Sequence, residues 1–420
     1  MKLLIDATST QDQFAFRGIG TCTRELVVNL VEQSVNTGSG DTFFLLLFDT
    51  TSTLDQYIHR YADRVKRVSV GSPRISGKLD FLWWKRQYQP AIRTVVENER
   101  PDVYFCPYVM RGFPTRGIPS VVMIYDFALP IVGKYSMAPW YLDWIRKIQY
   151  HVSLNTVRHA EKIVAISDQT KKDLLGYVQT MDEKNVIVVH LGVSEAFVKK
   201  RARKDTLLKY LPPAVADSGY ILYYAGIEVN KNVPALVEAY KCLVDKWPSQ
   251  KSENRELQKE CPPLVLAGGD FTKLDLKHPV LSRVRAMIRE YELDDHVFYT
   301  GYYADSDAVD LVNGARLFVH LSLYEGFGFS PLEAMKCGVP VVASDRSCYP
   351  EVLGDGALLV DPDNSDAVAD ACMKILTVPE YASELSRSGM KKASGYTWEK
   401  TAKELYNVFT EASQKSRRTS

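Results

Sequence analysis

The sequence predicts an α/β protein of two doubly wound domains, each a parallel sheet flanked by helices. Three observations carry this. Short apolar runs such as Lys2–Ile5 and Phe43–Phe48 alternate with segments of helical periodicity. The alternation breaks in a basic, proline-bearing stretch near residue 200 and restarts at Tyr220. Several apolar runs end in glycine-bearing loops. Buried parallel strands read as continuous apolar runs, and strand–helix alternation is the pattern of such sheets.

The totals agree. A chain of 420 residues with formal charge +1 fits two or three domains of ~100–200 residues each. With 46% hydrophobic and 25% charged residues, composition is ordinary for a folded protein. Near-zero net charge removes any global case for nucleic-acid binding. The seven cysteines are odd in number and scattered, which disfavours a disulfide framework or a zinc site and fits a reducing compartment, so a cytoplasmic location is expected. Met1 to Asp6 begins directly in a strand pattern, so no signal peptide is expected. No apolar run approaches the ~20 residues that span a bilayer.

In the first half, Lys2–Ile5 leads through Arg17-Gly18-Ile19-Gly20 into a helix over Thr21–Leu30. That glycine pair fits a simple turn or a loop that approaches a phosphate. Strands follow at Phe43–Phe48, Val68–Val70, Val103–Phe105, Ser120–Tyr125, Lys162–Ile166 and Val186–Val189. Residues 74–100 carry an apolar stripe with Leu82, Trp83, Trp84 and Ile92 beside Arg74, Lys78, Lys85 and Arg86. They fit a core-packed helix with a solvated outer face, or a helix lying on a membrane surface. Tyr125 and Asp126 close a strand at the end where doubly wound sheets hold ligands, and Asp126 also suits a cap of the next segment. The domains are expected at 1–200 and 219–392, with 201–218 as linker and a final helix and tail over 393–420.

In the second half, strands are expected at Tyr220–Tyr224, Leu264–Leu266, Val297–Tyr299, Leu317–Leu321 and Val339–Ala343. The stretch after the fourth, Leu323 to Pro340, reads as glycine loop, short helix and stop. Gly326 and Gly328 allow a tight turn and a close approach to a ligand. Ser330 reads as the N-cap, Pro331 as the first helical residue, and Glu333 as the capping-box partner. Backbone N–H groups at such a helix start attract anions. Glu333 thus has a capping explanation, whereas Glu325 matches no capping position. Lys231, after Gly226 and just before a helix start, opposes the helix dipole and suggests an anion between them. Gly268 closes a further strand. One lysine and three glycine-bearing loops on the ligand side of one sheet converge on a nucleotide-diphosphate site.

Glu325-x7-Glu333, inside Tyr-Glu-Gly-Phe-Gly-Phe-Ser-Pro-Leu-Glu-Ala-Met, resembles the signature of retaining GT-B glycosyltransferases of family GT4 (glycosyl transferases group 1). Gly226 with Lys231-Asn232, Gly301-Tyr302, Pro350-Glu351-Val352 and the N-terminal glycine pair fit the same family in order. The resemblance implies a GT-B fold, two Rossmann-like domains facing a central cleft, with the last helix crossing back to the N-terminal domain. It implies a retaining hexosyltransferase, moving mannose from a GDP- or UDP-linked sugar to a glycan or lipid-linked glycan in cell-surface polysaccharide assembly. Glu333 would bond the ribose hydroxyls and Glu325 would lie near the sugar's reacting carbon. Gly328, Phe329 and Ser330 would offer N–H groups, and Lys231 would neutralise the departing diphosphate. Tyr302 would lie near the base and Gly18 and Gly20 near the donor phosphates. Tyr125 and Asp126 would sit on the acceptor side, Asp126 with a catalytic part. No metal and no cofactor beyond the nucleotide-sugar is implied. Contact with the inner membrane face would fall to 74–100. Two departures stand out. The family's arginine beside the lysine is replaced by Ile227 or Asn230, and the histidine before the N-terminal aspartate is Tyr125. These departures keep a second class open, a GT-B protein that binds nucleotide-sugar or a partner without catalysis.

Overall fold

The computed structural model describes residues 1–11, 18–48, 51–71, 88–112, 115, 117–127, 148, 151, 153–247, 260–268, 271 and 278–419. These fall into two compact units, the first from residues up to 192 and from 397 onward, the second from 193–396.

The first unit holds β1 (Lys2–Asp6), β2 (Thr42–Leu47), β3 (Val65–Ser69), β4 (Val103–Cys106), β5 (Ser120–Ile124), β6 (Lys162–Ala165) and β7 (Val186–Val188). Every pairing is parallel, in the order β3-β2-β1-β4-β5-β6-β7. Leu3, Leu4 and Ile5 are fully buried, as a strand covered on both faces requires. The strand order reverses between β1 and β4, which marks the ligand crevice of a doubly wound sheet. Ser167 caps the helix Asp168–Tyr177 by accepting from Thr170 N–H at 3.1 Å. Residues 74–87 lie outside the described residues. The rest of that basic aromatic stretch, helix Gln89–Glu99, buries Ile92 and turns Arg93 to solvent. The last helix, Trp398–Thr419, belongs to this unit. Its Phe409 meets Phe105 of β4 at 5.1 Å between ring centroids, and Thr401 donates to His190 O at 2.8 Å.

The second unit holds β8 (Tyr220–Tyr224), β9 (Leu264–Ala267), β10 (Val297–Tyr299), β11 (Ala315–His320), β12 (Val341–Ser344) and β13 (Leu358–Val360). All pairs are again parallel, in the order β10-β9-β8-β11-β12-β13, with the reversal between β8 and β11. Leu222, Leu266, Leu317 and Val342 build the sheet's interior, and helix Val233–Lys246 covers it with Leu236, Val237 and Leu243. Elements not anticipated from the sequence include β13, the helix Asp305–Asn313, and the helix Pro379–Ala393, which has four serine or glycine positions in its interior that favour no helix.

Residues 201–218, expected as a linker, are part of the second unit, and so are 193–200, expected in the first. The reason is electrostatic. Asp310 has no exposed side-chain surface and receives Arg203 through its N–H at 3.1 Å and its guanidinium at 2.7 and 2.6 Å. Lys200 Nζ adds a contact at 3.4 Å. Two short helices, Lys204–Leu207 and Pro213–Ser218, occupy the rest. A buried carboxylate needs such partners, so the basic run is its counter-charge rather than a solvated tether. We expect Asp310→Ala to lower the urea midpoint and to speed trypsin cleavage after Lys199–Arg203 several-fold. Unchanged cleavage would show that the segment does not depend on this ion pair.

Candidate functional site

The loops that follow β8 and β11 meet at the reversal point of the second sheet. After β8, Tyr223 donates from its hydroxyl to Gly226 O at 2.7 Å, and Val229–Lys231 forms a single 3₁₀ turn. Asn232, left-handed at φ 54°, then starts the helix Val233–Lys246. Asn230 stitches this turn to the β11 loop. Its side-chain amide donates to Tyr324 O at 3.0 Å, and its carbonyl accepts from Leu323 N–H at 2.8 Å. The stitch brings Lys231 Nζ to 2.7 Å from Glu325 Oε1. The two side chains are 20% and 15% exposed, so water screens the pair only in part.

Glu325 is held from three sides. Ser322 donates to Oε1 at 2.8 Å. Ser347, in a left-handed turn at φ 57°, accepts from Glu325 N–H at 3.1 Å and donates to its carbonyl at 2.7 Å. Burial alone would push the Glu325 carboxyl up. The Lys231 ammonium, with smaller help from the Ser322 hydroxyl, outweighs it and holds the carboxyl below the usual range. Burial also pushes the His320 imidazole down to about 3, so it is neutral.

The helix beyond the glycine loop starts two residues earlier than the sequence suggested. It spans Phe329–Lys336, and its N-cap is Gly328 at φ 98°, a residue with no side chain to act as a cap. Ser330 and Pro331 are therefore the second and third helical residues, and the Ser330–Glu333 capping box does not form. The cause lies below the loop. A Cβ on Gly328 would stand 2.6 Å from Tyr349 Cε1, and the left-handed turn itself favours glycine. The two carboxylates thus exchange standing. Glu325 is tied down, whereas Glu333 has no hydrogen-bond donor among the described residues. Half-buried, it faces the Tyr224–Tyr303 ring pair, whose centroids are 5.7 Å apart. Burial pushes it up to about 8, and Asp305 adds to the shift.

The remaining candidates of this unit lie at neighbouring strand ends. Gly268 (φ 150°) follows β9, and a Cβ there would reach 3.0 Å from Ala225 O, so the chain runs close against the β8 loop. It bridges to Gly301, beyond β10, and the next residue, Tyr302, is 83% exposed. Gly269 and Asp270 lie outside the described residues. Ile227, one of the two positions where the resemblance expects arginine, is 4% exposed in the core.

In the first unit, Gly18 and Gly20 form the first turn of the helix Gly18–Thr37 rather than a loop before it, and Arg17 lies outside the described residues. At the end of β5, Asp126 is exposed. The Tyr125 hydroxyl is buried, with no partner among the described residues. The sequence reading missed Asp6, at the reversal between β1 and β4. It accepts from Thr8 N–H at 3.1 Å and Thr8 Oγ1 at 2.6 Å, and Arg111 donates to that same Oγ1 at 2.9 Å. Burial pushes Asp6 up. An acidic residue ending a buried strand was the only available sign. Also missed were His320, Ser322 and Ser347, which no local pattern marks.

Two doubly wound domains in one chain, with a lysine–carboxylate pair at the second reversal point, define the GT-B class of fold. Residues 212–392 match the family profile described as Glycosyl transferases group 1. The chain is similar to O-antigen chain mannosyltransferase B of Escherichia coli, 29% identical over 261 residues that make up 62% of each. It is also similar to the serotype-specific mannosyltransferase WbdA of Escherichia coli, 25% identical over all of this chain and 49% of that protein. The chain thus spans less than two thirds of either relative. Among solved structures, Anabaena HepE in complex with UDP and glucose superposes with a TM-score of 0.66 at 16% identity, covering 97% of this chain and 99% of that one, a likeness of fold.

One pH effect follows from Glu333. Its carboxyl ordinarily titrates at 4.5 and in the folded protein at about 8, so the folded state retains a proton that the unfolded chain releases. Stability should therefore fall as pH rises from about 4.5 to about 8. Urea midpoints of Glu333→Gln should lack this part of the fall. The same pH dependence in variant and wild type would assign it to other groups.

Proposed function

We propose that this chain is a retaining glycosyltransferase that moves mannose from a nucleotide-linked sugar to a glycan or lipid-linked glycan, in cell-surface polysaccharide assembly. The observation that carries the reading is the Lys231–Glu325 pair at the β8/β11 reversal, beside a helix whose cap is Gly328. The mannosyltransferase names of the two relatives supply the sugar and the polysaccharide context.

The chemistry follows from charge. As the glycosidic bond to the phosphate breaks, negative charge grows on the departing diphosphate. Fixed cations and N–H dipoles stabilise that charge more than they stabilise the ground state. Lys231 is the cation, and Gly328, Phe329 and Ser330 supply the dipoles. Without a donor, Glu325 neutralises Lys231. The diphosphate takes over that ammonium, and Glu325 turns to the sugar's hydroxyls. With Ile227 in the core and Asn230 bridging two loops, Lys231 has no arginine beside it at those positions. The leaving phosphate accepts the acceptor's proton on the same face of the sugar, which retains configuration and needs neither metal nor cofactor. Glu333 bonds the ribose hydroxyls, and exposed Tyr302 borders the base. Gly18 and Gly20 serve the donor phosphates. Tyr125 and Asp126 serve the acceptor, Asp126 close to the reacting hydroxyl. A lipid-linked acceptor places the work at the cytoplasmic membrane face, and residues 74–100 are the segment we assign to that surface.

The test is nucleoside diphosphate release from GDP- and UDP-linked hexoses with an acceptor present. Lys231→Ala and Glu325→Ala should each lower kcat by ~100–1,000-fold with the fold intact. Near-normal turnover in both would overturn the roles, and no release by wild type with any donor would overturn the function.

A further inference from the structure

We infer that His320 is a positioning residue that locks Glu325 and the glycine turn at Gly328 into one rigid unit. His320 ends β11 beneath the loop and is 1% exposed. Its ring stacks on Tyr223 at 5.5 Å and on Phe318 at 6.0 Å, with interplanar angles of 6° and 8°. A single ring atom makes both of its polar contacts. Nδ1 lies 2.5 Å from the Tyr349 hydroxyl and 3.2 Å from Ser322 Oγ. Each partner leads to a different part of the site. Ser322 donates its one proton to Glu325 Oε1 at 2.8 Å. Tyr349 is the ring against which Gly328 turns, at the 2.6 Å approach that admits no Cβ.

The network also places the imidazole proton. With the Ser322 proton spent on Glu325, Nδ1 bonds Ser322 Oγ only by carrying the proton, and the Tyr349 hydroxyl oxygen then accepts from the same N–H. Nε2 is then a bare acceptor, buried and without a partner among the described residues.

That orphan atom separates a positioning role from a packing role. A buried polar atom without a partner is destabilising, whereas phenylalanine would keep both ring stacks without it. A residue that breaks a packing rule in a well-packed strand points to function. The compensating gain here is geometric. Glu325 and the N–H groups after Gly328 must serve the same sugar diphosphate, and an error of about 1 Å in such a site can cost ~100-fold in rate. His320 fixes both through one atom.

This inference rests on the glycosyltransferase reading, and the test separates the two. His320→Phe and Tyr349→Phe keep their rings and lose the polar link. His320→Asn restores an N–H near the position of Nδ1. We expect both phenylalanine variants to melt at or above the wild-type temperature, with kcat lowered by ~100-fold and donor KM little changed. His320→Asn should recover part of the lost kcat. Spectra of ¹⁵N-histidine-labelled protein, assigned by the signal lost in His320→Phe, should show the proton on Nδ1. Wild-type kcat in both phenylalanine variants would overturn the inference, as would a lower melting point with kcat and KM impaired together in all three. A wild type that releases no nucleoside diphosphate from any donor would overturn the glycosyltransferase reading instead. The ¹⁵N measurement tests the network in that case too, and an unprotonated Nδ1 would overturn it.

Discussion

The second unit depends on one ion pair held at the reversal of its sheet. Lys231 and Glu325 are 94 residues apart and come from strands that neighbour each other only because the order reverses between β8 and β11. Burying one charge is costly, and burying two with good geometry and further hydrogen bonds is tolerable. Ser322, Ser347 and Asn230 supply those bonds or fix the loops that carry the charges. The pair also leaves each charge balanced by the other within the loops that carry them.

The carboxylate's neighbour is a helix start with no side-chain cap. In most helices a serine or aspartate satisfies the first N–H groups. Here Gly328 occupies the cap and offers nothing, because Tyr349 fills the space a side chain would need. The same packing that forbids a side chain at the cap fixes where the helix begins.

Much of the architecture was legible because buried parallel strands are short apolar runs, and loops between them are marked by glycine. The elements that escaped notice lacked such marks. β13 is three residues long, and Pro379–Ala393 is held by packing such as Gly389 against Gly356 O rather than by helix propensity. In the site, Lys231 and Glu325 stood out by residue type and position. The helix start was misread because Ser330-Pro331 with Glu333 satisfies a local rule that a ring 21 residues beyond Gly328 overrides. His320 and Ser322 carried no sign at all, since their partners are set by tertiary contact, and Asp6 showed only as an acidic residue ending a buried strand. The basic run after residue 198 read as a tether because its counter-charge, Asp310, lies 107 residues downstream of Arg203.

That last contact bears on how this second unit can be exchanged between related chains. The family profile begins at residue 212, a natural place to cut by sequence comparison. A graft joined there would carry Asp310 into its new host but leave Arg203 and Lys200 behind, burying a carboxylate without its cations. The transferable module begins at Val193, and any donor or recipient that lacks a basic pair in that leading segment would need one supplied.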